Sequence, residues 1–491
     1  MEYAGYAYLV KHTPVQAPMP STVVEIRGVT RKEEAPGRIM VPAKTAPEDG
    51  DILGHIVFAL RYESINLQVL SQALPMVAEP EIREHFDDSP NSRYLRIACY
   101  LWEYFSGSTI QRRDERLRQN FTRIFDPEAY HTGPAQVNYR WRVIFNGIGS
   151  LDYCATVRRT DKLESLLQKN LLRKASEFTR QLPEDILNRT LSWAYLSETR
   201  DSFAIEKDSA DHTRAGRFVR ILEQAHEGIE IGEDFLCDLQ KTVINNQFLK
   251  ATSYRNEQNF LGSAQRGVLG ISYVPPDHSL ARELMDHICN LANNPPPEVD
   301  PVVLAGVVSF GFVFIHPFMD GNGRLSRFLF HQVLCRAGAL KDGLILPVST
   351  VLYQNEREYV ATLKQYSSVI PQFWKVTEIE DDQFDFNFLG DSAIYRYWDA
   401  TAACEFLAAC SETAIEQHLK EETVYLDRYD AIYRRIDKSF DVAAKDLALL
   451  VRLCMEQKGR ISNNRRKQYQ YQVPQEVFDA LEQVYAEVVE H

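Results

Sequence analysis

Apolar residues recur at spacings of three and four over much of this chain, the period of helices that bury one face. One such run is Ile56-Val57-Phe58-Ala59-Leu60 with Ile65, Leu67 and Leu70; a second, over 94–105, carries Leu95, Ile97, Ala98, Leu101 and Trp102. Further helices are expected over 214–226, 233–247, 279–293, 301–315 and 324–337. Asp300-Pro301 offers a cap followed by proline in the first turn, and Gly338 stops the last of them. The pattern breaks at 262–276, where three glycines and two prolines bracket the segment 268–274, which predicts a short β-hairpin.

The flanks read differently. Residues 1–50 are rich in proline and charge (Pro14, Pro18, Pro20, Pro36, Pro42, Pro47), with one β-leaning piece, Thr22-Val23-Val24-Glu25-Ile26. That predicts an extended arm with a short strand. Residues 51–189 are expected to be an N-terminal helical region, 190–375 a catalytic domain and 376–491 a C-terminal helical region. The acidic stretch Glu378, Glu380, Asp381, Asp382 and Asp385 reads as the linker into the last of these. Further on, Lys458, Arg460, Arg465, Arg466 and Lys467 are interleaved with Tyr469 and Tyr471. They could touch nucleic acid or an acidic partner, but a solvated helix end is the better reading in so acidic a chain.

Composition narrows the field. A net charge of −13 over 491 residues argues against a nonspecific nucleic-acid binder, which gains affinity by neutralising phosphates, yet leaves room for a nucleotide enzyme with local positive charge. The eight cysteines form no CxxC pair, which favours a reduced, cytoplasmic protein. Met1-Glu2-Tyr3-Ala4-Gly5 lacks the basic-then-apolar pattern of a secretory signal. The most apolar run, 302–315, has fourteen uncharged residues, too short to span a bilayer and suited to a core helix.

The chemistry concentrates in His316-Pro317-Phe318-Met319-Asp320-Gly321-Asn322-Gly323-Arg324, with Arg327 one turn on. A base, a carboxylate, a Gly-Asn-Gly turn and two arginines fall within twelve residues. Gly321 and Gly323 would let a phosphate approach the backbone, and a helix starting near Gly323 would aim its unpaired N–H groups at the same space. Asn322 tolerates left-handed geometry and offers an amide donor. Arg324 and Arg327, three apart on that helix, would share a face and fork onto successive phosphates. Asp320 suits Mg²⁺, which binds one or two carboxylates plus substrate phosphates, and His316 would be a largely neutral base at pH 7.

This stretch matches HPFx[D/E]GNGRxxR, the signature of the Fic (filamentation induced by cAMP) family, and the chain resembles that family. The resemblance implies a mainly α, multi-helix fold with a short β-hairpin flap, flanked by N- and C-terminal helical regions. Phe58-Ala59-Leu60-Arg61-Tyr62-Glu63-Ser64-Ile65-Asn66-Leu67 is similar to the N-terminal helical region of some long family members. The implied reaction is AMP transfer from Mg-ATP to a tyrosine, threonine or serine hydroxyl of a target protein, with release of pyrophosphate. His316 would be the general base, Asp320 the Mg²⁺ ligand, Gly321, Asn322 and Gly323 the anion hole, and Arg324 the clamp on the distal phosphates. The family's Doc-like phosphotransferases carry lysine where this chain has Gly323, so the glycine implies AMP transfer.

An inhibitory motif of the family, [S/T]xxxE[G/N], is matched by Ser202-Phe203-Ala204-Ile205-Glu206-Lys207 except at Lys207, which bears on the turn that follows. By resemblance, Glu206 would pair with Arg327 and block the γ-phosphate. Arg255-Asn256-Glu257-Gln258-Asn259-Phe260-Leu261-Gly262 resembles the stretch before the flap, and 262–276 would then dock the target by backbone pairing. Tyr359 resembles a family tyrosine near the adenosine. Two alternatives stay open: AMP removal, with Glu206 positioning a water, and a regulatory or toxin–antitoxin-like binding protein. A homo-oligomer is open as well.

Overall fold

Residues 2–112, 117–208, 211–262, 265–380 and 383–489 are described by the computed structural model, and the fold is mainly α. At its centre lies Pro301–Ile315. A helix without charge has no face to offer water, and every residue over 302–315 is buried. In chain order the surrounding module comprises α1 (Glu184–Ile205), α2 (His212–Gln224), α3 (Glu233–Val243), α4 (His278–Asn293), the central α5 (Pro301–Ile315), α6 (Asn322–Arg336), α7 (Val348–Gln354) and α8 (Glu356–Ser367). α5 and α6 form its most extensive helix pair. The helix ends obey local chemistry: Asp300 accepts from the Val302 N–H at 2.8 Å ahead of Pro301, and Gly338 follows α6 at a φ of +70°.

The expected hairpin is present. β1 (Leu261–Gly262) pairs antiparallel with β2 (Ile271–Tyr273), although residues 263–264 of the expected 262–276 flap lie outside the described residues.

Three expectations about the flanks need correction. Residues 1–50 are folded, not an extended arm: helix Gly5–His12 and a four-stranded sheet, in the order Tyr3–Ala4, Val23–Ile26, Arg38–Val41, Glu33–Ala35. Ala4, Val24 and Val41 bury Phe58 there, and His55 stacks on Tyr8 with ring centres 3.6 Å apart. The prolines punctuate this sheet and do not prevent it.

The acidic stretch is also a hairpin and not a linker, β3 (Trp374–Glu380) with β4 (Gln383–Phe388), although Asp381 and Asp382 lie outside the described residues. Phe384, Phe386 and Phe388 alternate with polar residues, the period of a half-buried strand, and the surrounding acids mask it. Phe384 and Phe386 pack on Phe260 beside the flap, with ring centres 5.3 and 5.6 Å away.

Within 51–189, helices Ile52–Tyr62 and Arg93–Ser106 form as patterned, but strands occupy much of 122–158. The longest of these, Cys154–Arg158, pairs in parallel with Tyr397–Asp399. Helices Lys420–Ser439, Ala444–Glu456 and Gln475–Val489 close the chain around their own core of Ile432, Leu447, Val451, Val477 and Phe478. In the basic cluster, Arg466 is turned inward to Asp479 and Glu482. Among the described residues, no helix is long and apolar enough to cross a membrane.

Candidate active site

His316 ends α5 in the left-handed region, at a φ of +53°, with its N–H bonded to the Phe312 carbonyl at 3.0 Å. The ring's Nδ1 lies 3.0 Å from the Val313 carbonyl, so Nδ1 carries the proton and donates, leaving Nε2 as the acceptor. Burial pushes the imidazole pKa down to about 4. Arg255 adds to this, while the Val313 bond and Glu206 pull it upward. The ring is therefore neutral at pH 7, the state a general base needs.

The loop after His316 is held mainly through its backbone. Asn322 accepts from the Phe318 N–H at 3.0 Å and donates to the Phe318 carbonyl at 2.8 Å. Its amide is thus spent on the loop, contrary to the expectation that it faces a phosphate. The left-handed residue is Gly321, at a φ of +92°, and Asn322 is already helical. Asn259 donates to the Phe318 carbonyl at 3.0 Å and Gln240 to that of Asp320 at 3.1 Å. Arg255 reaches the His316 carbonyl with Nε at 2.9 Å and the Pro317 carbonyl with its own N–H at 2.8 Å.

α6 begins above this loop, and its first-turn N–H groups and positive dipole end face the same space. Arg324 and Arg327 are each 3% exposed, and each is already engaged. Arg327 donates through Nε to the Ser202 hydroxyl (2.8 Å), and through Nη2 to the Ser202 carbonyl (2.8 Å) and Glu206 Oε1 (2.9 Å). The expected Ser202–Glu206–Arg327 set is therefore assembled. A Cβ added to Gly323 would lie 2.1 Å from Glu206 Oε1, so the carboxylate rests directly on the start of α6.

Arg324 donates to Asp208 Oδ2 and to the Val243 carbonyl, both at 2.9 Å. Sequence reasoning missed Asp208, which also binds Arg214 at 2.6 Å. A lone aspartate directly after a motif carries no spacing signal.

Both carboxylates hang from the end of α1. Lys207 takes a φ of +54°, its N–H bonding the Ala204 carbonyl at 2.9 Å while the Asp208 N–H bonds that of Phe203 at 3.1 Å. Glycine or asparagine favours this left-handed position, and the lysine adopts it nonetheless. Higher up, α1 is pinned by buried polar groups. Glu198 accepts from the Ser349 N–H (2.7 Å) and hydroxyl (2.6 Å) and lies 3.1 Å from His331 Nε2, and Asp201 accepts from Thr350 at 2.7 Å.

Asp320 stands at the mouth, with 46% of its side chain exposed and Oδ1 accepting the Gly321 N–H at 2.6 Å. Among the described residues, no three His, Cys, Asp or Glu side chains gather into a metal site. A single half-exposed carboxylate beside the N-terminus of α6 fits Mg²⁺, which is held largely by substrate oxygens and water. Tyr359 is buried against Phe310 and Phe406 and lies beside Arg327 and Glu206; burial raises its pKa.

Residues 230–334, from α3 through most of α6, match the Fic/DOC family. Curated relatives include Protein adenylyltransferase Fic of Nematostella vectensis, 25% identical over 206 residues, covering 42% of this chain and 37% of that protein. Another is Protein adenylyltransferase fic-1 of Caenorhabditis elegans, 28% identical over 148 residues, 30% of this chain and 26% of that one. The match thus spans well under half the length of these relatives. Among solved structures, a Fic family protein from Desulfovibrio desulfuricans G20 is 18% identical, covering 65% of this chain and 95% of that one at a TM-score of 0.37. Fic-1 (residues 134–508) from C. elegans is 15% identical, covering 75% and 92% at a TM-score of 0.34. The motif and the family match fall on the same residues, and the chain carries a Fic domain of the Fic/DOC family.

Proposed function

We propose that this chain is a protein adenylyltransferase, closed at rest by the last turn of α1. The observation that carries the reading is a neutral, tautomer-fixed His316 beside the start of a helix that presents two buried arginines. The names of the curated relatives support it. His316 Nε2 takes the proton of a target tyrosine, threonine or serine hydroxyl. The hydroxyl oxygen bonds to the α-phosphorus of ATP, the bond to the bridging oxygen breaks, and pyrophosphate leaves. Asp320 would hold Mg²⁺, which neutralises phosphate charge. The backbone at Gly321 to Gly323 cradles phosphate, Arg324 and Arg327 clamp the distal phosphates, and Tyr359 flanks the nucleotide side of Arg327. β1 offers the target an edge for backbone pairing. Eight unpaired cysteines suit a reducing compartment such as the cytoplasm.

Closure follows from charge and space. Glu206 on Arg327, and Asp208 on Arg324, hold the two cations that distal phosphates would need. With α-labelled ATP and Mg²⁺, Glu206→Gly is expected to label protein at least about tenfold faster than wild type, as loss of a competing carboxylate would predict. Adding His316→Ala should cut that rate by about 10²–10⁴-fold. Absence of label in Glu206→Gly would refute AMP transfer, and equal labelling of wild type and Glu206→Gly would clear Glu206 of the inhibitory role.

One observation favours a second reading. Glu206 is close enough to raise the His316 pKa, so a carboxylate and an imidazole share the site, as hydrolysis of a protein–AMP bond would require. Glu206-dependent release of free AMP from an AMP-modified protein would establish that direction.

A further inference from the structure

We infer that Arg255 is a positioning residue that couples the target-docking flap to the base, one guanidinium holding both feet of the hairpin and the backbone of His316. Its kinetic consequence rests on the adenylyl-transfer reading above. Arg255 is 5% exposed. Its Nε donates to the His316 carbonyl at 2.9 Å, Nη1 to that of Glu257 at 2.9 Å, and Nη2 to that of Pro276. Glu257 lies just before β1 and Pro276 just after β2, so the two outer nitrogens clamp the hairpin where it enters and leaves the core. The third points inward, to the residue that carries the base.

Arg255 makes no ion pair with any carboxylate among the described residues. Its neighbours are backbone carbonyls, and burial lowers its pKa to about 10, which still leaves it charged at pH 7. Asp277 acts on it without an ion pair, and a buried cation so weakly compensated is expensive to keep; an apolar residue would pack the same volume more cheaply. An apolar residue would, however, leave the three carbonyls unbonded and the flap untied from the catalytic loop. Other bonds run the same way: Asn259 holds the Phe318 carbonyl, and Tyr273 of β2 donates to that of Phe314 at 2.5 Å. A target strand paired on β1 would load a hairpin whose anchor is also the anchor of His316.

The charge acts as well as the geometry. Two charged groups act on the imidazole, Arg255 lowering its proton affinity and Glu206 raising it. When Glu206 withdraws, Arg255 alone remains and holds the base more firmly in its neutral form.

The test compares Arg255→Gln and Arg255→Lys, each in the Glu206→Gly background. Readouts are the His316 ring titration by NMR and the kcat and KM of AMP transfer. Arg255→Gln should move the His316 titration to higher pH. Arg255→Lys, which keeps charge but not the fork, should leave it in place while kcat falls by about 10–100-fold at unchanged KM for ATP. An unmoved titration in Arg255→Gln together with a kcat within about twofold of the parent would overturn the inference. Should Arg255→Gln fail to fold, a kcat of Arg255→Lys within about twofold of the parent would overturn it alone. If the Glu206→Gly parent transfers no nucleotide, the adenylyl-transfer reading falls, and the titration of Arg255→Gln against wild type still decides whether Arg255 sets the state of the base.

Discussion

His316 is a histidine whose ordinary pKa, near 6.5, is carried down to about 4 by burial. In the window between, the unfolded chain binds the proton and the folded one does not. The stability this group contributes is therefore present above about pH 6.5 and is lost as pH falls toward 4. For activity, the acid limb of the Glu206→Gly rate profile should fall no higher than about pH 4, because the variant lacks the carboxylate that raises the imidazole pKa, so that transfer at about pH 5.5 stays within about twofold of that at neutrality. A limb near pH 6.5 would mean that the ring is solvated in the working state. Lys207 is the second informative residue. A non-glycine side chain in the left-handed region costs about 1 kcal/mol, so Lys207→Gly should raise the unfolding free energy, measured by denaturant unfolding, by about that increment, without releasing Glu206 from Arg327. Most of the site was legible at this scale because His316, Asp320, Arg324 and Arg327 sit within one short stretch. Arg255 and Asn259 were read only as part of the stretch before the flap, and Asp208 and Gln240 were not recognised, because each meets the site only through the fold, from positions where its residue type is ordinary.

Among the elements, α1 matters most, because it delivers both carboxylates. Its grip on the module is polar and buried: Glu198 on Ser349 and His331, and Asp201 on Thr350. Glu198→Ala would strand these groups, and about 3 kcal/mol of stability should go with them, measured by denaturant unfolding. Hydrogen exchange in the last turn of α1 should quicken in that variant while α5 stays protected; uniform exchange across both would show that α1 has no separate mobility. Helices marked by a clear period or an unbroken apolar run were read closely, as with 279–293, within a residue of α4, and 301–315, whose bounds match those of α5. The β3–β4 hairpin was taken for a linker because acidic residues surround its alternating phenylalanines, so charge hid the period.

At the scale of the whole chain, the surprise is how far apart in sequence the paired strands are. Cys154–Arg158 is completed by Tyr397–Asp399, a partner from beyond the catalytic module that no local pattern could announce. The N-terminal fifty residues are likewise ordered by what they cover. Glu63 sits beneath them, with Oε1 accepting the Tyr6 N–H at 3.0 Å and Oε2 buried without a hydrogen-bond partner among the described residues. Burial raises its pKa to about 8. The folded protein thus holds this proton when the unfolded one has shed it: the contribution is full below the unfolded value, near 4.5, and vanishes as pH rises through 8. Glu63→Gln should raise the melting temperature at about pH 8.5 and change it little at about pH 5. An equal gain at both would mean that the carboxylate is solvated.

Glu206 and Asp208 flank a single left-handed residue, and each restrains a different arginine. A turn this short has no slack to surrender one and keep the other. Arg324 and Arg327 would then be released in concert, as a latch with two bolts on one bar. On the proposed reading, ATP would bring a phosphate for each arginine and replace both carboxylates at once; a nucleotide with one distal phosphate would leave one arginine bare and the bar half drawn.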